Sequence, residues 1–244
     1  MKKIYILIGT RPNFIKVTRF KELGEAKGME IKIIHTGQHF DANMADVFFT
    51  QFGLQPDYFL NVASDSASQT IGNIIIEIDQ LLNEVKPDAF LVLGDTNSCL
   101  SVISAKRRKI PVFHFEAGNR CFDQRVPEEL NRKIVDHLSD INMPLTEHAR
   151  RYLINEGIKP EMVIKTGSPM KEILNHYSSK IDNSEIMKSL NLDIDNYFLV
   201  SAHREENIDS PVILRDFLET LNSIAESYGY PVIVSTHPRT KKRI

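Results

Sequence analysis

Ala89-Phe90-Leu91-Val92-Leu93-Gly94-Asp95-Thr96-Asn97-Ser98 passes without a spacer from five apolar residues into a glycine, an aspartate and three small polar residues. An unbroken apolar run of that length describes a strand buried on both faces, as in a parallel sheet. The polar residues then fall where the strand ends and a helix begins. The same grammar recurs along the chain. Residues 4–8 lead into GTRPNFIK, 30–35 into TGQHFD, 111–115 into EAGNR, 197–202 into REEN and 231–235 into THPRT, while 141–143 and, more weakly, 162–165 also read as strands. Between them, residues 14–26, 43–52, 69–85, 97–108 and 212–227 repeat apolar side chains every three or four positions, the period of an amphipathic helix. Strands alternating with helices specify a mostly parallel sheet with helices on both faces.

The predicted fold class is therefore α/β, with two Rossmann-like doubly wound domains. Residues 1–176 form the first. A polar stretch over 177–196 reads as a connection, and residues 177–244 hold a second domain that is incomplete, because two strands and one helix cannot close a doubly wound sheet.

Composition narrows the function. With 244 residues, 42% hydrophobic and 25% charged, the chain is long enough for a large core. Its net charge of -2 supplies no field for a nucleic-acid backbone. The basic run Lys106-Arg107-Arg108-Lys109 reads as a solvated helix end, so no nucleic-acid partner is predicted. Cys99 and Cys121 are far apart and lack metal-ligand or disulfide spacing, which fits a reducing compartment. The first apolar run, about five residues, is too short for a signal segment, and no stretch approaches the roughly twenty apolar residues of a membrane span. These features predict a cytoplasmic protein with no membrane partner. The first strand is not followed by GxGxxG, which disfavours a nicotinamide dehydrogenase, and no HExxH or close His/Asp cluster calls for a metal, so no cofactor is predicted.

The polar clusters point to a ligand site. In open parallel sheets, ligands bind outside the carboxyl ends of the strands, where helix N-termini present free amides. In Gly9-Thr10-Arg11-Pro12-Asn13, Thr10 suits an N-cap and Pro12 the first turn, leaving Arg11 and Lys16 for phosphate. Asp95 and Glu116 directly follow apolar strands, at the sheet's edge. Asp95 could instead cap a helix, and the alternative for Glu116 is a salt bridge to Arg120 or Arg132. Glu128 and Glu129 open a helix, where the macrodipole alone would favour them. His203, with Arg204, and His237 end successive strands of the second domain, which favours a site over a structural role.

The motifs GTRPNFIK, TGQHFD, LGDTNS, FEAGNR, VPEELNR and SAHREEN, in this order, resemble the non-hydrolysing UDP-N-acetylglucosamine 2-epimerases over essentially the whole chain. That resemblance implies a GT-B-like pair of Rossmann-like domains, a UDP-amino-sugar substrate and a homodimer. It places Asp95, Glu116, Glu128 and His203 at the family's catalytic or essential positions. Arg11, Lys16, Gln38, His39, Arg132, Arg204 and His237 make up the substrate-binding set. EAGNRCFDQRVPEE and HPRTKKRI look more like the branch that forms UDP-N-acetyl-L-fucosamine from UDP-2-acetamido-2,6-dideoxy-L-talose for surface polysaccharide. Family members continue for another hundred or so residues that hold the uridine and ribose, so the resemblance implies weak nucleotide binding and no activity for this chain alone. A GT-B glycosyltransferase and a non-catalytic domain whose carboxylates only cap helices are the competing expectations.

Overall fold

The computed structural model describes residues 1–38, 49–201 and 210–235, apart from the Arg11 side chain. The chain divides into two compact units, Met1–His176 and Tyr177–Ile244.

In the first unit, strand β1 (Lys3–Ile8) is followed by α1 (Arg11–Ala26), β2 (Glu30–His35), β3 (Tyr58–Phe59), α2 (Ala67–Val85) and β4 (Ala89–Leu93). A short 3₁₀ turn, Asn97–Ser101, leads into α3 (Val102–Arg107), and the unit continues through β5 (Val112–Phe115), α4 (Pro127–Leu138), β6 (Ile141–Met143), α5 (Glu147–Asn155) and α6 (Met170–His176). Among the described residues, the six strands are all parallel, in the order β3-β2-β1-β4-β5-β6. The chain winds outward from β1 in one direction and then from β4 in the other. The strand order therefore reverses between β1 and β4, and in open parallel sheets ligands bind outside the carboxyl ends of the strands at such a point.

Alternation along β1 feeds two layers of core. Tyr5 and Leu7 join Ile34, Phe90, Val92 and Val112 beneath α2, where Ile74, Ile78 and Leu82 are buried. Ile6 and Ile8 point the other way, to Ile31, Ile33, Leu91, Leu93 and Phe115, and are covered by Phe14 and Val17 of α1. Helix α2 starts where the Ser66 side chain accepts the Gln69 N–H at 3.2 Å, and it ends at Lys86 in the left-handed conformation.

The second unit contains α7 (Ser178–Asp182) and α8 (Ile186–Ser189) in the stretch read as a polar connection. It continues with β7 (Phe198–Ser201), α9 (Pro211–Tyr228) and β8 (Val232–Ser235). Strands β7 and β8 pair in parallel. Among its described residues, only Leu214 and Leu221 are buried hydrophobics.

Three expectations change. Residues 162–165 form no strand: a 3₁₀ turn over Pro160–Met162 precedes a single bridge from Val163 to Asn142, since Val163 is buried but Ile164 and Lys165 face solvent. The helix expected over 97–108 begins as a 3₁₀ turn because Ser98, Cys99, Leu100 and Ser101 are all buried, leaving that turn no solvent face. Strand β3 is only two residues long and gave no pattern to read. Most of the helix expected over 43–52 lies outside the described residues.

Candidate active site

The loops after β1, β4 and β5 meet at the point where the strand order reverses. Gly9 allows the closest approach: a Cβ there would stand 2.4 Å from Ser98 Oγ. The Ser98 hydroxyl and backbone N–H both donate to Gln38 Oε1, at 2.6 and 3.1 Å, which ties the β2 loop to the β4 loop. Thr10 precedes α1 as expected, but its side chain makes no cap bond. Its hydroxyl instead donates to Asn13 Oδ1 at 2.8 Å, and Asn13 Nδ2 donates to Leu93 O at 3.3 Å. Asn13, which sequence reasoning passed over, thus joins the first loop to the end of β4.

Two left-handed residues shape the carboxylate end of the site. Gly94 closes β4 at φ 68°, which glycine adopts freely, and Glu116 closes β5 at the same φ of 68°, where a side chain is strained. Glu116 Oε2 lies 3.4 Å from where a Cβ on Gly94 would stand, so the carboxylate rests over the turn that carries Asp95. Lys16, in the second turn of α1, donates to Glu116 Oε1 at 2.5 Å, and both side chains are largely covered, at 16% and 17% exposure. A cation and an acid expected at the site therefore meet across β4.

Asp95 is held from α4. Arg132 Nε donates to Asp95 Oδ2 at 2.7 Å, and Asn131 Nδ2 donates to Asp95 O at 2.9 Å and to Asn97 Oδ1 at 3.0 Å. The other end of Arg132 reaches Glu129 Oε2 at 2.9 Å. Glu129 is fully buried. Burial alone would push its carboxyl up, but the Cys121 N–H, the Arg132 guanidinium and the Phe122 N–H bring it down to about 2. Glu128, its neighbour, faces solvent in the first turn of α4, one turn before Arg132 on the same stripe.

Neither arginine considered for Glu116 pairs with it. Arg132 is taken by Asp95 and Glu129, and Arg120 by Asp136 at 2.7 Å and Glu156 at 2.6 Å. Asp136 and the Arg120 side chain are both fully buried. Burial opposes the Asp136 charge, yet His114 and Arg120 hold its carboxyl below the usual range. Cys99 is inert as a nucleophile: burial pushes its thiol up to about 12.

Lys16, Gln38, Asp95, Glu116 and Arg132 thus line adjoining loops, and Glu128 stands on the helix that holds Asp95. Arg11 opens α1. His39, His203, Arg204 and His237 lie outside the described residues. The arrangement offers two carboxylates, Glu116 beside Lys16 and Asp95 beside Arg132, at the carboxyl edge of a parallel sheet, which suits proton transfer on an anionic substrate.

The family model described as UDP-N-acetylglucosamine 2-epimerase matches residues 21–244. A solved UDP-N-acetylglucosamine 2-epimerase from Rickettsia bellii is 50% identical, with a TM-score of 0.90, over 100% of this chain and 64% of that one. The structure of the Methanocaldococcus jannaschii UDP-GlcNAc 2-epimerase in complex with UDP-GlcNAc and UDP is 37% identical, with a TM-score of 0.89, over 99% of this chain and 67% of that one. The UDP-2,3-diacetamido-2,3-dideoxy-D-glucuronate 2-epimerase of Pseudomonas aeruginosa is 38% identical over 98% of this chain and 68% of its own length. The chain spans 64% of the length of the Rickettsia protein. The likeness covers the whole chain and bears out the α/β, GT-B-like fold class.

Proposed function

The chain belongs to the UDP-N-acetylglucosamine 2-epimerase family, and on that premise we propose that it serves to invert C2 of a UDP-linked 2-acetamido sugar. In this reaction a base takes the C2 proton while the C1–O bond to UDP breaks, leaving a C1–C2 double bond. A proton then adds to C2 from the opposite face, and the UDP oxygen attacks C1 to restore the linkage. The chemistry needs one acid, one base and a held diphosphate.

The observation that carries this proposal is the Glu116 carboxylate lying over the Gly94–Asp95 turn with Lys16 beside it. Asp95, Glu116 and Glu128 are assigned to proton transfer. Lys16, Arg11, Gln38, His39, Arg132 and His237 bind the nucleotide sugar, and His203 and Arg204 stabilise the departing diphosphate. Residues 1–176 and 177–244 are assigned to the two Rossmann-like domains of the family, the second in part.

The sugar is assigned as UDP-2-acetamido-2,6-dideoxy-L-talose, with UDP-N-acetyl-L-fucosamine as product for surface polysaccharide. The loop EAGNRCFDQRVPEE supports this assignment. A UDP-N-acetylglucosamine substrate is the second reading, supported by the names of the Rickettsia and Methanocaldococcus relatives. Proton NMR of the full-length protein, with the uridine- and ribose-holding residues of the second domain present, in deuterated water and with each sugar in turn, decides between them: the substrate loses its C2 proton signal. Loss with UDP-N-acetylglucosamine alone would overturn the talose assignment. Loss with neither would overturn the epimerase reading, and transfer to an added acceptor would favour a glycosyltransferase.

A further inference from the structure

His114 is 1% exposed in the middle of β5, and nothing in the proposed chemistry uses it. Its Nε2 lies 2.8 Å from Gly94 O and its Nδ1 lies 2.8 Å from Asp136 Oδ1. A backbone carbonyl and an ionised carboxylate both only accept, so Nε2 donates to Gly94 O and Nδ1 donates to Asp136 Oδ1. Asp136 also accepts the Gly118 N–H, at 3.2 and 3.3 Å, and Arg120 Nη1 at 2.7 Å, while Arg120 is gripped by both oxygens of Glu156 at 2.8 and 2.6 Å.

We propose that the His114–Asp136 pair is a positioning device that sets the Asp95 turn and the Glu116 turn at a fixed separation. The ring ties the carbonyl of left-handed Gly94, immediately before Asp95, to a carboxylate that holds the backbone two residues beyond Glu116. The inference rests on the assignment of Asp95 and Glu116 to proton transfer.

Glu116 adopts a positive φ without being glycine, and such a conformation persists only where its surroundings determine it. They do so here on both sides. The Glu116 N–H donates to Met143 O at 3.1 Å, and Gly118 is pressed so closely that a Cβ would stand 2.5 Å from Ala149 O. The face of β5 that carries His114 also carries Val112, which packs with Val92 and Val135, so an apolar side chain would fill the space as well. Buried charged networks are weak sources of net stability, and when fully satisfied they rigidify and specify geometry. Placement of the two turns accounts for the polar residue.

Two substitutions separate the contacts. His114→Gln keeps an amide N–H near the Nε2 position and within reach of Gly94 O. His114→Asn keeps only the arm toward Asp136. Misplacing a reacting group by about 1 Å costs up to about a hundredfold. In the full-length protein we expect His114→Asn to lower kcat for C2 deuterium exchange between about tenfold and a hundredfold, with KM within about twofold, and His114→Gln to restore most of it. Wild-type kcat in a folded His114→Asn protein, or equal losses in both folded variants, would overturn the proposal.

A second measurement stands apart from the variants. In the wild type, the His114 Nε2 proton should give a downfield, slowly exchanging NMR signal, and rapid exchange with water would overturn the proposal even if neither variant folds. No C2 exchange in the full-length wild type would sink the epimerase reading instead, and the Nε2 proton would then still report on the tether.

Discussion

Strand β1 of the first unit and strand β7 of the second are both short apolar strands in parallel pairing, yet their surroundings differ. Tyr5, Ile6, Leu7 and Ile8 are all buried, whereas Phe198–Ser201 alternates between half-buried and exposed, with Leu199 69% exposed. The sheet of the first unit has two layers of helices and hydrogen-bonded neighbours on both sides of β1. Among the described residues, the sheet of the second unit has two strands. An apolar run becomes a rigid central strand only when both faces and both edges are occupied, and a rigid strand end is what holds a polar cluster in place. Lys16, Asp95, Glu116 and Arg132 all sit on the first kind of support.

The largest effect that would test this contrast is amide hydrogen exchange. Backbone amides in β1 and β4 should exchange at least about a thousandfold more slowly than those in β7 and β8, because the former open only with the global free energy. Comparable rates would break the comparison.

Replacing Glu129 by Gln sharpens it next. The change removes a buried charge that ties Cys121, Phe122 and Arg132 together, and should cost about 2–3 kcal/mol near neutral pH, measured by urea unfolding. Because the folded carboxyl is depressed from 4.5 to about 2, its contribution is present above about pH 4.5 and is lost as pH falls toward 2. The variant should lack that part of the acid dependence.

His35 adds a separate window. Burial pushes it from 6.5 down to about 4, so the ring is neutral in both states above 6.5 and contributes nothing there. Between 6.5 and 4 the unfolded chain takes the proton first, and the first unit should lose stability over that range. His35→Leu should flatten it. An unchanged slope would show that the ring is accessible when folded.

The smallest test compares helix starts. Ser66 caps α2 at 3.2 Å and Ser210 caps α9 at 3.5 Å. Ser66→Ala should cost about 1 kcal/mol and Ser210→Ala less than about half of that, read from melting midpoints. The reverse order would contradict the contrast between the units.

Much of the fold was legible in the sequence. Strands β2, β4 and β6 run over the residues expected, and in β4 the reason is plainest, because every residue of AFLVL is apolar and four of the five are buried. The loops that would carry the site were legible too, since polar clusters can follow such strands only at the sheet's edge. Pairing within the site was not. Glu116 meets Lys16 across 100 residues of sequence, a partnership decided by strand order and by the left-handed turn after β5. The acidic pair at the start of α4 also hid its division of labour. Both residues suit a helix dipole, but the phase of the helix turns Glu129 inward as an anchor and Glu128 out to solvent. His114 and Asp136 gave no signal, because a lone polar residue in an apolar strand and one on a helix do not announce that they face each other.

The central claim is that the Glu116 carboxylate moves the C2 proton of a bound UDP-sugar. The direct test is deuterium incorporation at C2 in the full-length wild type and in its Glu116→Gln variant, with UDP affinity measured alongside by calorimetry. Exchange should fall at least about a hundredfold while UDP affinity stays nearly intact. Equal losses in exchange and in affinity would mark Glu116 and Lys16 as a structural ion pair and contradict the claim.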